Sequence, residues 1–302
     1  MLRATILGTG ALGTLFAARL GRTLGVTVGG TWKAGLDALA RRGACVDGEP
    51  EVPVAARRLE TLDTPADLVL VLVKAGQTAA LAPVAARLLA PGGVIVTLQN
   101  GLGARAILAA AAGTDRVGAG VTTVGATQLS PGRVRAFPGH VVLEAHPSPH
   151  VQALADALAR AGLPTETVPD LEPHVWRKLA VNCALNAVTA VLDVPNGAVL
   201  DDPEARRIAE AAAREVAAVA RARGIALAGD PAVDALSVAR RTVANRSSML
   251  QDLDRGAPTE VEFLNGAVER EGRRLGVPTP VNAQLAQQVR DLSAAGVRRA
   301  LS

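Results

Sequence analysis

The hydrophobic positions follow two different rhythms along the chain. As far as about Val168, short runs of Val, Ile and Leu alternate with Ala- and Leu-rich stretches of helical period. That alternation is the pattern of strand–helix units wound on a parallel sheet. It predicts strands over residues 4–7, 26–29, 67–73, 94–98 and 116–123, and helices over 12–24, 34–42, 77–89 and 104–111. Two later runs, 132–135 and 141–144, read as a hairpin closing this half, and a helix over 151–161 follows Pro147 and Pro149. Beyond Pro169 the strand-like runs stop. Helical stretches punctuated by Pro, Gly and Asp follow one another, over 172–191, 203–223, 231–244, 259–275 and 280–292. The expectation is an α/β Rossmann-type, doubly wound domain over 1–169 and an all-α domain over 170–302, with a cleft between them.

Composition narrows the function classes. In 302 residues there are three Phe, two Trp and no Tyr, so stacking platforms for nucleic-acid bases are scarce and the core is aliphatic. The net charge of +4 is scattered and suits a small anionic ligand better than DNA. Apolar stretches are interrupted, as Pro83 and Arg87 interrupt 79–90, and none reaches the roughly 20 residues that span a bilayer. Cys45 and Cys183 lie far apart without metal-ligand spacing, which fits reduced thiols in the cytoplasm. No metal site is expected.

Gly8, Thr9, Gly10, Ala11, Leu12 and Gly13 directly follow the first strand and open a helix. In that context a GxGxxG run gives a tight turn, a close backbone approach to a pyrophosphate, and close packing of helix on strand. The end of the second strand reads Gly29-Gly30-Thr31-Trp32-Lys33, without the acid that usually binds the ribose hydroxyls of NAD. Lys33 is either a contact for the extra phosphate of NADP or an ordinary surface residue. Lys74 and Gln99-Asn100-Gly101 follow the third and fourth strands, at the edge where open α/β sheets bind ligands.

The segment 176–190 is almost wholly apolar except for Lys178, Asn182 and Asn186, which recur every four residues. On a helix these three form one stripe turning by about 40° per step. A solvent-facing stripe more often carries Lys, Glu and Arg than two asparagines, whose amides disfavour a buried helix interior. The functional alternative makes Lys178 the proton donor to a carbonyl under reduction and the asparagines its substrate ligands.

These residues make the chain resemble the ketopantoate reductase family. The resemblance rests on GTGALG at 8–13, WRKLAVNCALNAVTA at 176–190 with PNG at 195–197, and SSMLQD at 247–252 followed by TE at 259–260 and LNG at 264–266, with weaker matches at Lys74-Ala75 and Asn100-Gly101. It implies a Rossmann domain, a helical domain like the C-terminal domain of 6-phosphogluconate dehydrogenase, and NADPH-dependent reduction of 2-dehydropantoate to (R)-pantoate. By resemblance Lys178 is the proton donor, Asn182, Asn186, Asn196 and Ser248 bind substrate, and Asn100 touches both substrate and cofactor. Lys74, Ala126 and Glu260 join the glycine loop in binding the cofactor. The Arg that family members often carry at the end of the second strand is absent here. A reductase of another branched 2-oxo acid, an opine-type dehydrogenase and a dinucleotide sensor without turnover are the competing readings. A small-molecule partner is expected, with no nucleic acid or membrane, and pairing into a homodimer is one expectation for a helical second half.

Overall fold

A computed structural model describes residues 2–300, so the terminal bounds 1 and 302 of the expected domains lie outside it. The chain divides into two compact units, one of residues up to Gln99 together with Gly103–Leu171, the other of Asn100–Leu102 with the chain from Glu172 on.

The first unit is built on an eight-stranded sheet. Its strands are β1 (Arg3–Leu7), β2 (Gly25–Gly30), β4 (Ala55–Arg58), β5 (Ala66–Val71), β6 (Leu89–Thr97), β7 (Val117–Thr122), β10 (Val141–Glu144) and β11 (Thr165–Val168), in the spatial order β11-β10-β7-β6-β5-β1-β2-β4. All neighbours run parallel except β10 against β7. The central strands β1, β5 and β6 are buried on both faces and therefore read as continuous apolar runs. Helices α1 (Ala11–Leu20), α2 (Lys33–Arg42), α3 (Thr78–Arg87), α4 (Ala104–Ala112) and α5 (Pro149–Arg160) connect them. A second sheet, β3 (Cys45–Val46), β9 (Arg133–Phe137) and β8 (Gly125–Ser130), packs on α1.

The hairpin expected over 132–144 does not form. Its first half, β9, pairs with β8 in the small sheet, and its second half, β10, joins the large sheet beside β7. The chain crosses between sheets at Gly139, where a Cβ would lie 2.4 Å from the backbone nitrogen of Val124.

The second unit is helical and centred on α6 (Glu172–Leu192). Around it are α7 (Ala198–Asp201), α8 (Pro203–Ala222), α9 (Pro231–Arg241), α10 (Ser248–Asp254), α11 (Asn265–Leu275) and α12 (Pro280–Ala300); α6 packs against α7, α8, α9, α10 and α12, and its Cys183 carbonyl accepts from the Asn265 amide of α11 at 3.1 Å. Start signals are explicit. Asp202 and Asp230 cap the N-termini of α8 and α9 through their carboxylates, each followed by Pro at the first helical position. Ser247 does the same for α10, accepting from the Leu250 amide at 3.2 Å. No helix among the described residues is long and apolar enough to cross a membrane.

Residues 259–275 are not one helix. A 3-10 turn over Val261–Phe263 precedes α11, so Glu260 stands just before that turn and not in the first turn of an α-helix. The break frees the Phe263 carbonyl to accept the Leu102 amide at 3.0 Å. Gly101 makes that contact possible. Its φ is +81°, and a Cβ there would lie 2.1 Å from the same carbonyl oxygen. This local docking is why Asn100–Leu102 belongs with the helical unit although the strand before it does not.

Candidate active site

In the first unit the turn from β1 into α1 has the geometry that the glycine spacing predicts. Gly8 has φ +133°, and a Cβ on Gly13 would fall 1.9 Å from the Gly8 carbonyl oxygen, so both positions require glycine for the turn to close. Gly10 differs, because a Cβ there would meet nothing within 4 Å. Its bareness serves no packing need of the protein and leaves the backbone open to an approaching group. Gly10 caps α1 without a side-chain acceptor, and the first turn holds no acid, so amides at this helix start remain to bind an anion. These features fit a dinucleotide pyrophosphate. Thr9 is buried, while Ala11 and Leu12 are half-buried and pack on the same core cluster as Ala126 of β8.

Lys74 is exposed just after β5. Gln99, at the end of β6, ties that edge together, its amide donating to the Val73 carbonyl at 2.8 Å and to the Thr78 hydroxyl at 2.9 Å. Lys33 donates to Asp37 one turn further along α2, at 2.6 Å.

In the second unit the stripe on α6 lies as its spacing implies. Lys178, Asn182 and Asn186 are half-buried on a helix whose flanking residues Leu179, Ala180, Cys183, Ala184, Leu185 and Ala187 are buried. The Asn182 and Asn186 side chains make no hydrogen bond among the described residues, and neither belongs to the buried polar atoms that lack a partner, so both amides remain accessible.

The Lys178 ammonium donates to Asn100 Oδ1 at 2.6 Å, and Asn100 Nδ2 donates to Glu260 Oε2 at 3.1 Å. Glu260 is buried. The asparagine thus presents its oxygen to the cation and its nitrogen to the anion, which fixes the amide's orientation. Burial pushes Lys178 down to about 8 against the opposing attraction of the Glu260 carboxylate. An ammonium with that value gives up its proton near neutral pH far more readily than a surface lysine.

The remaining predicted residues separate. Ser248 is exposed at the start of α10, while its neighbour Ser247 is buried and serves as the cap. Ser247 also accepts from the buried Thr189 hydroxyl at 2.8 Å, joining α10 to α6 one turn beyond Asn186. Neither Thr189 nor Ser247 stands out in the sequence, since a small hydroxyl residue in an apolar stretch carries no distinctive signal. Asn196 is buried, donates to Thr242 Oγ1 at 2.9 Å, and leaves its own Oδ1 buried without a partner.

Comparison with known proteins decides the family. Residues 4–148 match the ketopantoate reductase PanE/ApbA model, and residues 170–293 match the model of its C-terminal part. The chain belongs to the ketopantoate reductase family. The 2-dehydropantoate 2-reductase of Halobacterium salinarum is 36% identical over 96% of this chain and 98% of its own length. That of Archaeoglobus fulgidus is 36% identical over 95% and 97%. The crystal structure of a PanE/ApbA family ketopantoate reductase from Ralstonia eutropha JMP134 superposes with a TM-score of 0.90 at 31% identity, covering 98% of this chain and 99% of that one. Within this ketopantoate reductase family chain, the first matched segment covers most of the glycine-loop unit together with residues 100–102, and the second covers most of the helical unit built on α6.

Proposed function

We propose that this protein is a 2-dehydropantoate 2-reductase that uses NADPH to convert 2-dehydropantoate to (R)-pantoate, a cytoplasmic enzyme of pantothenate and coenzyme A synthesis. The observation that carries the reading is the bonded line from Lys178 through Asn100 to Glu260, with Lys178 heading the stripe on α6 that continues in the Asn182 and Asn186 amides.

A reduced nicotinamide, when bound, supplies the hydride for the carbonyl carbon. The protein does the rest. The glycine turn over Gly8–Gly13 holds the pyrophosphate through its backbone, with Lys74 and Ala126 further along the same unit as cofactor contacts. As charge builds on the substrate oxygen, the Lys178 ammonium stabilises it and transfers the proton. Asn100 keeps the ammonium aimed, and Glu260 keeps it protonated at neutral pH. Asn182 and Asn186 hydrogen-bond the substrate oxygens, with Ser248 adding a hydroxyl from α10. Asn196 joins this set by the family resemblance alone, its Oδ1 being buried without a partner.

The test is direct. The purified protein with NADPH and 2-dehydropantoate should consume NADPH absorbance, and Lys178→Ala should cut the rate by roughly 10²- to 10⁴-fold, the usual worth of a general acid. Normal turnover by that variant would remove Lys178 from the chemistry. A panel of 2-oxo acids ranked by kcat/KM, won clearly by another acid, would keep the chemistry and replace the substrate.

A further inference from the structure

We propose that Arg58, presented from β4, is the residue that selects the phosphorylated dinucleotide, gripping the phosphate on the adenosine ribose with Lys33 beside it; this rests on the dinucleotide reading of the glycine turn. The second strand cannot itself discriminate. It ends at Gly29 and Gly30, and the residues after it are Thr31 and Trp32, with neither an acid to bind a ribose hydroxyl nor an arginine to bind its phosphate.

The strand pairing supplies what β2 lacks. The pairing of β2 with β4 is parallel, with Gly30 opposite Arg58 and Gly29 opposite Arg57. On its other side β2 pairs with β1, Gly29 opposite Leu7, immediately before Gly8. Arg58 therefore stands at the same carboxyl edge of the sheet as the glycine turn, one strand beyond β2. Side chains alternate along a strand. Ala56 is buried on the side towards α2, so alternation puts Arg58 on that side as well, and a shallow recess there is lined by Ala56, Arg57 and Arg58 with Lys33, Leu36, Asp37 and Ala40.

The charges there are unbalanced. Asp37 is held below the usual carboxylate range by the hydrogen bond from Lys33 and by the nearby charges of Lys33, Arg41 and Arg58, so three cations share one carboxylate. The Arg58 guanidinium is exposed and makes no hydrogen bond among the described residues. An exposed arginine in a surplus of positive charge has its planar fork of donors ready for a phosphate dianion, which it binds in two parallel hydrogen bonds. A ribose hydroxyl gives it no comparable partner. Glycine at position 30 is a packing requirement, since a Cβ there would lie 2.8 Å from the Thr9 side chain of the glycine turn.

Calorimetric titration of the wild-type protein and of Arg58→Gln with NADPH, NADH and adenosine 2′,5′-bisphosphate tests the assignment. The wild type should bind NADPH more tightly than NADH. Arg58→Gln should weaken NADPH and the bisphosphate about tenfold to a hundredfold, the worth of a charge-assisted hydrogen bond or a pair of them, while leaving NADH affinity unchanged. Lys33→Gln should show a smaller loss in the same direction. Thermal melting of the apo variants should match the wild type, because Arg58 is exposed. An equal loss for NADPH and NADH would mean a merely structural role and overturn the proposal, as would wild-type NADPH affinity in Arg58→Gln. A wild-type protein that binds neither dinucleotide would instead remove the dinucleotide reading itself, and the role of Arg58 with it.

Discussion

Replacing Glu260 with Gln keeps the shape of the side chain and removes only its charge, so it isolates what the carboxylate does for Lys178. In the wild type the ammonium bonds to Asn100 at 2.6 Å and Asn100 to Glu260 at 3.1 Å, which leaves a single neutral amide between charge and countercharge. Desolvation lowers Lys178 to about 8, and Glu260 opposes it. An opposite charge this near a titrating group is worth about one to three pH units, each about 1.4 kcal/mol. The reductive kcat/KM should be flat below pH 8 in the wild type and fall above it, because the proton donor must be charged and the profile reports the free enzyme. In Glu260→Gln the fall should begin at least about one unit lower, so that at pH 9 the protonated fraction, and with it kcat/KM, drops a further tenfold or so. The reverse oxidation of the hydroxy acid, which needs the neutral amine, should move oppositely and gain at pH 7. The assay is NADPH absorbance between pH 6 and 10 with both enzymes, alongside melting curves. A midpoint that stays in place, or moves upward, would refute the electrostatic role given to Glu260.

Other outcomes follow from single positions. Gly10→Ala should fold and melt like the wild type, since its Cβ meets nothing within 4 Å, yet lose dinucleotide affinity in a fluorescence titration, whereas Gly13→Ala, whose Cβ falls 1.9 Å from a carbonyl oxygen, should lower the melting temperature as well. Asn182→Ala and Asn186→Ala should raise KM for the oxo acid without lowering the melting temperature, because neither amide bonds to the described protein. Thr189→Val should destabilise by about 1–3 kcal/mol in chemical denaturation, leaving Ser247 short of a buried partner, and Thr189→Ser should restore the loss.

The large features were legible because each has one physical cause. Strands buried on both faces must be continuously apolar, and helices with Asp-Pro or Ser-Pro starts announce their caps, so β1, β5, β6, α5, α8 and α9 stood out in the chain. The weak features were the edges. The strands β4 (AARR) and β11 (TETV) each pair on one side only, so they carry polar residues and lack a strand signal. The small sheet is hidden for another reason. Its strand β3 has two residues, and β8 alternates poorly because much of it is half-buried. In the site, the four-residue spacing of Lys178, Asn182 and Asn186 was readable, whereas the bond from Lys178 to Asn100 spans 78 positions and depends on the backbone of Gly101. Ser248 illustrates a finer limit. Two adjacent serines look alike in sequence, and only the start of α10 decides that Ser247 is consumed as a cap while Ser248 stays exposed.

The stripe on α6 is also where stability and chemistry pull apart. A lysine whose value falls from 10.5 to about 8 is destabilised in its charged form by roughly 3 kcal/mol, an upper figure given that the side chain is half-buried. The sign follows from the direction of the shift. The folded protein holds this proton less tightly than the unfolded chain, so the cost is present in full below pH 8 and disappears as pH rises towards 10.5. Lys178→Met should therefore melt a few degrees higher than the wild type at pH 7, with the difference shrinking by pH 10, while reductase activity is lost. Loss of the bond to Asn100 and of the positive charge facing buried Glu260 works against this gain, and pairing Lys178→Met with Glu260→Gln, which keeps an acceptor for Asn100 and removes the stranded charge, should recover it. If Lys178→Met melts lower than the wild type at pH 7 even with that second change, the lysine is a structural member of the helix and its burial carries no cost for chemistry to explain.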